Sequence, residues 1–158
     1  MKSLKLRISI ISGAVVLMVM GVLAGNSFQS AAKAKYQYYD TTLNPSEYVY
    51  YYDQSKKEKQ GIAYDASIKG NILRISGAVT KGRYLMDNSK KVKFMGEKTR
   101  KYTITKKTKY YFGNDEDFGK ISKGKFSRYL RKGSKGLLSF GIALKVRSGK
   151  VVGAYLYS

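Results

Sequence analysis

The 158-residue chain contains no cysteine, no histidine and no tryptophan, and its only proline is Pro45. It therefore lacks the thiol nucleophile, the commonest general base and the usual zinc ligands. No disulfide can staple the fold, and no cysteine can carry a lipid anchor. We therefore expect no catalytic residue, no metal site and no cofactor, and we predict that the protein is not an enzyme.

Acidic residues are also scarce, with 10 against 31 basic residues. Their one cluster is Asp115-Glu116-Asp117, next to Asn114. These side chains supply hard oxygens of the kind that calcium prefers, but the spacing does not fit an EF-hand loop. A polar loop that places negative charge just before a helix is the favoured interpretation.

The N-terminus has the pattern of a secretory signal peptide. Lys2, Lys5 and Arg7 precede an apolar run over residues 8–24, and Ala32-Lys33-Ala34 follows. We predict a signal peptide over residues 1–34, with cleavage after Ala34 favoured over cleavage after Ala32, and a secreted or envelope-associated protein. A retained membrane anchor is the alternative, although the apolar run is shorter than the ~20 residues that a bilayer needs. An exported domain without disulfides is typical of Gram-positive bacteria.

Residues 35–60 are predicted to form a tyrosine-rich N-terminal arm that ends in a charged linker. A turn at Asn44-Pro45-Ser46 divides its tyrosines into two groups, and residues 47–52 suit a short strand. The tyrosines either line a sugar-binding face or pack on the following domain as an added edge strand.

Residues 61–158 are predicted to form one β-barrel domain, because apolar residues recur there with period two. Short strands are expected around Leu73–Val79, Val92–Phe94, Tyr102–Thr105, Tyr110–Phe112, Leu138–Val146 and Val152–Leu156. Tight turns are expected at Lys69–Asn71, Asp87–Ser89 and Ser148–Gly149. Residues 122–131 break the pattern and predict one short helix, with Ser122 as N-cap, Gly133 as C′ residue, and Phe126 and Leu130 buried against the barrel.

Strands, one short helix and a final hairpin form the order of an oligonucleotide/oligosaccharide-binding (OB) barrel, so we predict a small antiparallel barrel of about five strands. The chain resembles small exported OB-like domains of Gram-positive bacteria in three motifs. These motifs are Ile75-Ser76-Gly77-Ala78-Val79, Tyr102-Thr103-Ile104-Thr105-Lys106-Lys107-Thr108 and Gly149-Lys150-Val151. The resemblance implies the fold and supplies no catalytic residues.

The mature chain is strongly basic. Without Lys2, Lys5, Arg7 and Lys33 it keeps 27 basic and 10 acidic residues, a net charge of +17. Such a charge either maintains solubility or binds a polyanion. Outward-facing cations are expected to form a binding face across neighbouring strands, with Tyr111 among them. The candidate contacts are Lys91, Lys93, Arg100, Lys101, Lys107 and Lys109.

We therefore expect a non-enzymatic module that associates electrostatically with an anionic envelope polymer or a membrane surface. Four alternatives stay open. The protein is an accessory subunit that docks another exported protein through its tyrosine-rich arm, an OB-like binder of oligosaccharide or oligonucleotide, a secreted cationic toxin, or an enzyme that uses Asp115 or Asp117. Nucleic acid is the less expected partner, because an exported protein rarely encounters it.

Overall fold

A computed structural model describes residues 35–45, 50–53, 58–82, 92–114 and 117–157. The predicted signal peptide, the predicted turn at Asp87–Ser89 and the candidate Lys91 lie outside these residues. So do Asp115 and Glu116 of the acidic cluster. The elements are β1 Gln37–Leu43, β2 Tyr50–Asp53, β3 Glu58–Lys69, β4 Ile72–Lys81, β5 Lys93–Gly113, β6 Phe118–Ile121, α1 Lys123–Ser134, β7 Phe140–Arg147 and β8 Lys150–Tyr157.

The strands form a closed barrel of six, in the order β3-β4-β5-β8-β7-β1 and back to β3. The predicted mostly β fold with one helix is confirmed. The predicted small antiparallel barrel of about five strands is corrected in two respects. The barrel has six strands, and it is mixed, because β1 pairs with β3 in parallel and β5 pairs with β8 in parallel. Strand β1 comes from the tyrosine-rich segment and pairs with β7 along its whole length, from Gln37 to Leu43.

Strand β5 is a single strand of 21 residues, where the sequence predicted three short ones. Its N-terminal half pairs with β4, and its C-terminal half pairs with β8 and β6. A bulge over Thr105–Thr108 separates the two halves. The Thr108 hydroxyl stabilises it by accepting from the Thr105 N–H at 2.9 Å and donating to the Val151 carbonyl at 2.7 Å.

The predicted inward rows of the last two strands are confirmed in their centres and wrong at two positions. Ile142, Leu144 and Leu156 are buried, as expected. Leu138 is exposed because it precedes the first residue of β7. Val151 is buried in place of Val152, because the register between β7 and β8 shifts by one residue there and exchanges the two faces.

Helix α1 closes the core as predicted, with Phe126 and Leu130 fully buried. Burial of two such side chains is worth roughly 1.5–3 kcal/mol each. The Ser122 side chain is the N-cap and accepts from the Lys125 N–H at 3.1 Å. Within the described residues, no helix is long and apolar enough to span a membrane.

The C-terminal end of the helix differs from the prediction. Gly133 lies inside the helix, buried, where an added Cβ would meet the Leu43 side chain at 2.6 Å. Gly136 is the C′ residue, with φ +70°. Its N–H bonds the Gly133 carbonyl and the Leu137 N–H bonds the Lys132 carbonyl, which is a Schellman motif. Gly133 therefore allows close packing of the helix, and Gly136, three residues later, allows the chain to reverse.

Candidate functional site

Four of the predicted contact residues are exposed on β5, namely Lys93, Lys101, Lys107 and Lys109. The sequence placed such lysines on neighbouring strands, whereas the structure places them along one strand. Lys93 and Lys101 lie in the half that pairs with β4, Lys107 lies in the bulge, and Lys109 follows it.

Arg100 is half-buried, and its guanidinium is bound to the backbone. It donates to the carbonyls of Met95, Gly96, Lys98 and Gly77. These carbonyls surround a bulge where Gly96 has φ +51° and the β4–β5 register shifts. Arg100 therefore holds the backbone of β5 in place, and its own contacts occupy much of its hydrogen-bonding capacity.

The Thr105–Thr108 bulge brings the lysines of the two halves of β5 closer together. Thr103 pairs with Lys150 of β8, and Lys109 pairs with Gly153 only three residues further along that strand. At about 3.3 Å per residue, Thr103 and Lys109 are therefore about 10 Å apart, although they are six positions apart in sequence. Lys106 and Lys107 lie in the bulge beside them.

Further cations on β4, β7 and β8 extend the positively charged surface of β5. Lys101 lies opposite Arg74, Lys150 lies opposite Arg147, and Lys109 and Lys145 both flank Gly153. Lys145 and Arg147 also approach the Tyr36 ring, with Lys145 Nζ 4.3 Å from its centre. We call these cations the basic face: Arg74, Lys101, Lys109, Lys145, Arg147 and Lys150.

Tyrosines cover the sheet beside the basic face. Tyr111 and Tyr155 are cross-strand partners, and their rings stack 4.7 Å apart at 7°. The Tyr155 ring covers Gly153, where an added Cβ would lie 2.9 Å from Cε2. The Tyr157 hydroxyl donates to the carboxylate of buried Asp40 at 2.7 Å. We call Tyr111, Tyr155 and Tyr157 the tyrosine layer, and all three are half-buried.

A groove of about 500 Å³ opens beside the N-terminal half of β5. It is lined by Tyr39, Met95 and residues 98–102. The rings of Tyr39 and Tyr102 pack edge to face, 5.2 Å apart. The Tyr102 hydroxyl is buried and has no hydrogen-bond partner in the described part of the chain. Burial raises the pKa of this hydroxyl well above its ordinary value, and the nearby Arg100 opposes that shift only in part.

No group of three metal-ligating side chains occurs among the residues that the structure describes. Asp117 is exposed, and its N–H is bound by the Asn114 side chain at 3.0 Å, as in a polar loop. No protein-family model, curated protein or solved structure matches this chain.

The sequence did not identify Lys145, Lys150, Tyr155 or Tyr157 as site residues. The alternation of apolar and polar residues in the strand around residues 138–146 indicated only that Lys145 and Arg147 face outward. The missing information was the parallel pairing of β5 with β8, which brings the last hairpin against Lys109 and Tyr111. Pairing between strands so distant in sequence leaves no local signal.

Proposed function

We propose that the protein is an exported, non-enzymatic binding module that associates electrostatically with an anionic polymer or lipid of the cell envelope. The basic face makes the principal contacts, together with Lys93 and Lys107. Arg100 acts indirectly, by holding the strand that carries Lys101. The tyrosine layer supplies flat rings beside these charges.

The observation that carries this proposal is the direct opposition of like charges across strands. Arg74 faces Lys101, Lys81 faces Lys93, and Arg147 faces Lys150. Like charges directly opposite one another destabilise a sheet. A bound polyanion would reverse the sign of this contribution, because each pair would then share a negative counter-charge.

A polymer suits the basic face better than a flat lipid surface. Lys101 and Lys109 follow one strand, and rows of partners cross β8 and β7 from there. A flexible chain with a repeating negative charge can follow such a path, held by charge while its sugar or other flat groups pack on tyrosine rings. Teichoic acid has this chemistry, and anionic head groups share only the charge.

The order of elements from Glu58 onward supports an OB-like description. Strands β3, β4 and β5 precede the helix, the β7–β8 hairpin follows it, and β1 is an added strand between β3 and β7. OB barrels bind extended oligomers on the face of their second and third strands. In this chain those strands are β4 and β5, which carry Arg74 and Lys101. Oligosaccharide or oligonucleotide binding there is the second candidate function.

The test is binding of the mature protein to inorganic polyphosphate and to purified teichoic acid at two ionic strengths. We expect affinity to fall steeply with salt, because charge-driven contacts weaken as ions screen them. The double variant Lys107→Gln, Lys109→Gln should bind more weakly and show a shallower salt dependence. The matched control removes the same charge from the exposed end of α1 in Lys132→Gln, Lys135→Gln.

Anionic and neutral lipid vesicles form the second arm of the experiment. Stronger retention on anionic vesicles than on teichoic acid would identify lipid as the partner. Affinity that is unchanged between the two salt concentrations would refute the proposal. Equal losses in the site variant and in the helix control would also refute it, because binding would then depend on net charge alone.

A further inference from the structure

Among the residues that the structure describes, half of β5 has one edge that pairs with no other strand. Residues 93–103 pair with β4 along one edge of the strand, and residues 103–113 pair with β8 along the other. Strand β6 takes the place of β4 beside the last residues of β5. In the described ranges, no strand pairs with the second edge of Lys93–Tyr102, so its backbone groups there are open to a further strand.

Arg100 holds this free edge in strand form. Its guanidinium donates to the carbonyls of Met95, Gly96 and Lys98, which belong to the same stretch of β5. The guanidinium also donates to the Gly77 carbonyl of β4, so it ties this stretch of β5 to its paired neighbour. Each carbonyl oxygen keeps a second lone pair, so an incoming strand can still bond to it.

The groove described above lies along this edge, because five of its lining residues are the consecutive residues 98–102. Tyr39, Met95 and Tyr102 give it an apolar lining. Lys98 and Lys101 add exposed positive charge, and Lys93 is exposed further along the same strand. A strand edge beside a partly apolar, positively charged groove has the features that strand addition requires: backbone pairing, a site for alternate side chains and a charge preference.

We propose that this edge binds an extended, acidic peptide segment of another protein by adding it as a strand next to Lys93–Tyr102. Alternate side chains of the segment enter the groove, which Lys98 lines, and the others face Lys101 on the opposite side of the sheet. This site shares Lys93 and Lys101 with the polymer contacts proposed above but excludes the tyrosine layer and Lys109, and it gives the protein a second class of partner beyond the envelope polymer. The partner is recognised by extended conformation and negative charge.

The test uses a capped ten-residue peptide of alternating Glu and Val as probe, and its Lys/Val counterpart as control. Two further Glu/Val peptides carry backbone N-methyl groups, one on every Val and one on every Glu. In an extended strand the N–H groups of alternate residues face opposite edges. One methylated peptide should therefore bind roughly tenfold or more weakly than the parent while the other keeps its affinity, since a few net hydrogen bonds are lost in only one of them.

Amide hydrogen exchange of the full protein locates the contact. Bound Glu/Val peptide should slow exchange over residues 93–102 and leave the β7–β8 hairpin unchanged. Lys98→Glu should weaken binding about tenfold, and the helix control Lys132→Glu should not. Equal affinities of the parent and both methylated peptides would overturn the proposal. So would exchange protection of the β7–β8 hairpin in place of residues 93–102, because the peptide would then be acting as another polyanion.

Discussion

The Tyr157 ring lies directly over Gly141, its cross-strand partner on β7. A Cβ added to Gly141 would overlap the ring atoms of Tyr157. The same ring directs its hydroxyl to Asp40 on β1, so one tyrosine spans three neighbouring strands of the barrel. An aromatic ring that covers a glycine in this way compensates for the poor strand propensity of the glycine.

Gly141→Ala should therefore destabilise the protein by about 1–3 kcal/mol, because Tyr157 must leave its place over β7. Equilibrium unfolding in urea measures this change. Gly119→Ala is the matched control, since its added Cβ would lie 3.7 Å from the Phe112 carbonyl oxygen, an ordinary contact. Equal stability of the two variants would show that the ring moves aside without cost.

Two buried tyrosine hydroxyls, those of Tyr102 and Tyr110, lack hydrogen-bond partners in the described part of the chain. Tyr102→Phe and Tyr110→Phe should each stabilise the protein by about 1 kcal/mol, because an unpaired buried polar group is removed while the ring stays. Thermal and urea unfolding measure the gain. A loss of stability in either variant would mean that its hydroxyl has a bound partner, such as an ordered water.

The buried Tyr102 hydroxyl should also make the stability of the folded protein depend on pH. Burial raises its pKa above the ordinary value of 10.0, so the folded state keeps the proton that the unfolded chain releases. Its contribution to stability is therefore fully present below pH 10 and is lost as pH rises beyond it. The stability advantage of Tyr102→Phe over wild type should grow by up to about 1.4 kcal/mol per pH unit above about pH 10. A gap that is constant from about pH 9 to about pH 11 would contradict this.

The predictable parts of the fold were those with local signals. The helix followed from Ser122 and the spacing of Phe126 and Leu130, and both signals act within one or two turns. The Ser148–Gly149 hairpin turn followed from one glycine between two alternating runs, and both residues have positive φ, as a type I′ hairpin turn requires. Gly77 belongs to a motif that the sequence singled out. Its φ of +127° and its close approach to Ile62 and Ala63 explain why glycine is needed at this position.

The unpredictable parts depend on pairing between distant segments. Nothing in residues 37–43 indicates that they insert between β3 and β7 and close the barrel. The bulge at Thr105–Thr108 interrupts the alternation of β5, so a continuous strand looks like separate short ones. The candidate site depends on the same long-range register, because Lys109 and Tyr111 become part of a surface only through β8.

The two glycines near the ends of α1 should respond to alanine in opposite directions. Gly124 has a helical backbone and nothing nearer to its added Cβ than the Ser122 Oγ at 3.9 Å, so Gly124→Ala should stabilise by about 0.5–1 kcal/mol. Gly136 has φ +70°, and Pro45 lies 3.3 Å from its added Cβ, so Gly136→Ala should destabilise by about 1 kcal/mol or more. Unfolding midpoints of both variants decide this. Changes of the same sign would contradict the cap geometry.

Substitution of Arg100 should mainly affect stability, whereas substitution of Lys109 should mainly affect binding. Arg100→Gln removes donors from four backbone carbonyls and should lower stability by about 1–3 kcal/mol. Lys109 is exposed, so Lys109→Gln should leave stability within about 0.5 kcal/mol of wild type and weaken polyphosphate binding. The two measurements are the urea unfolding curve and the slope of affinity against salt. If Arg100→Gln left stability unchanged and reduced the salt slope as Lys109→Gln does, Arg100 would be a direct ligand contact, and the backbone role assigned to it would be wrong.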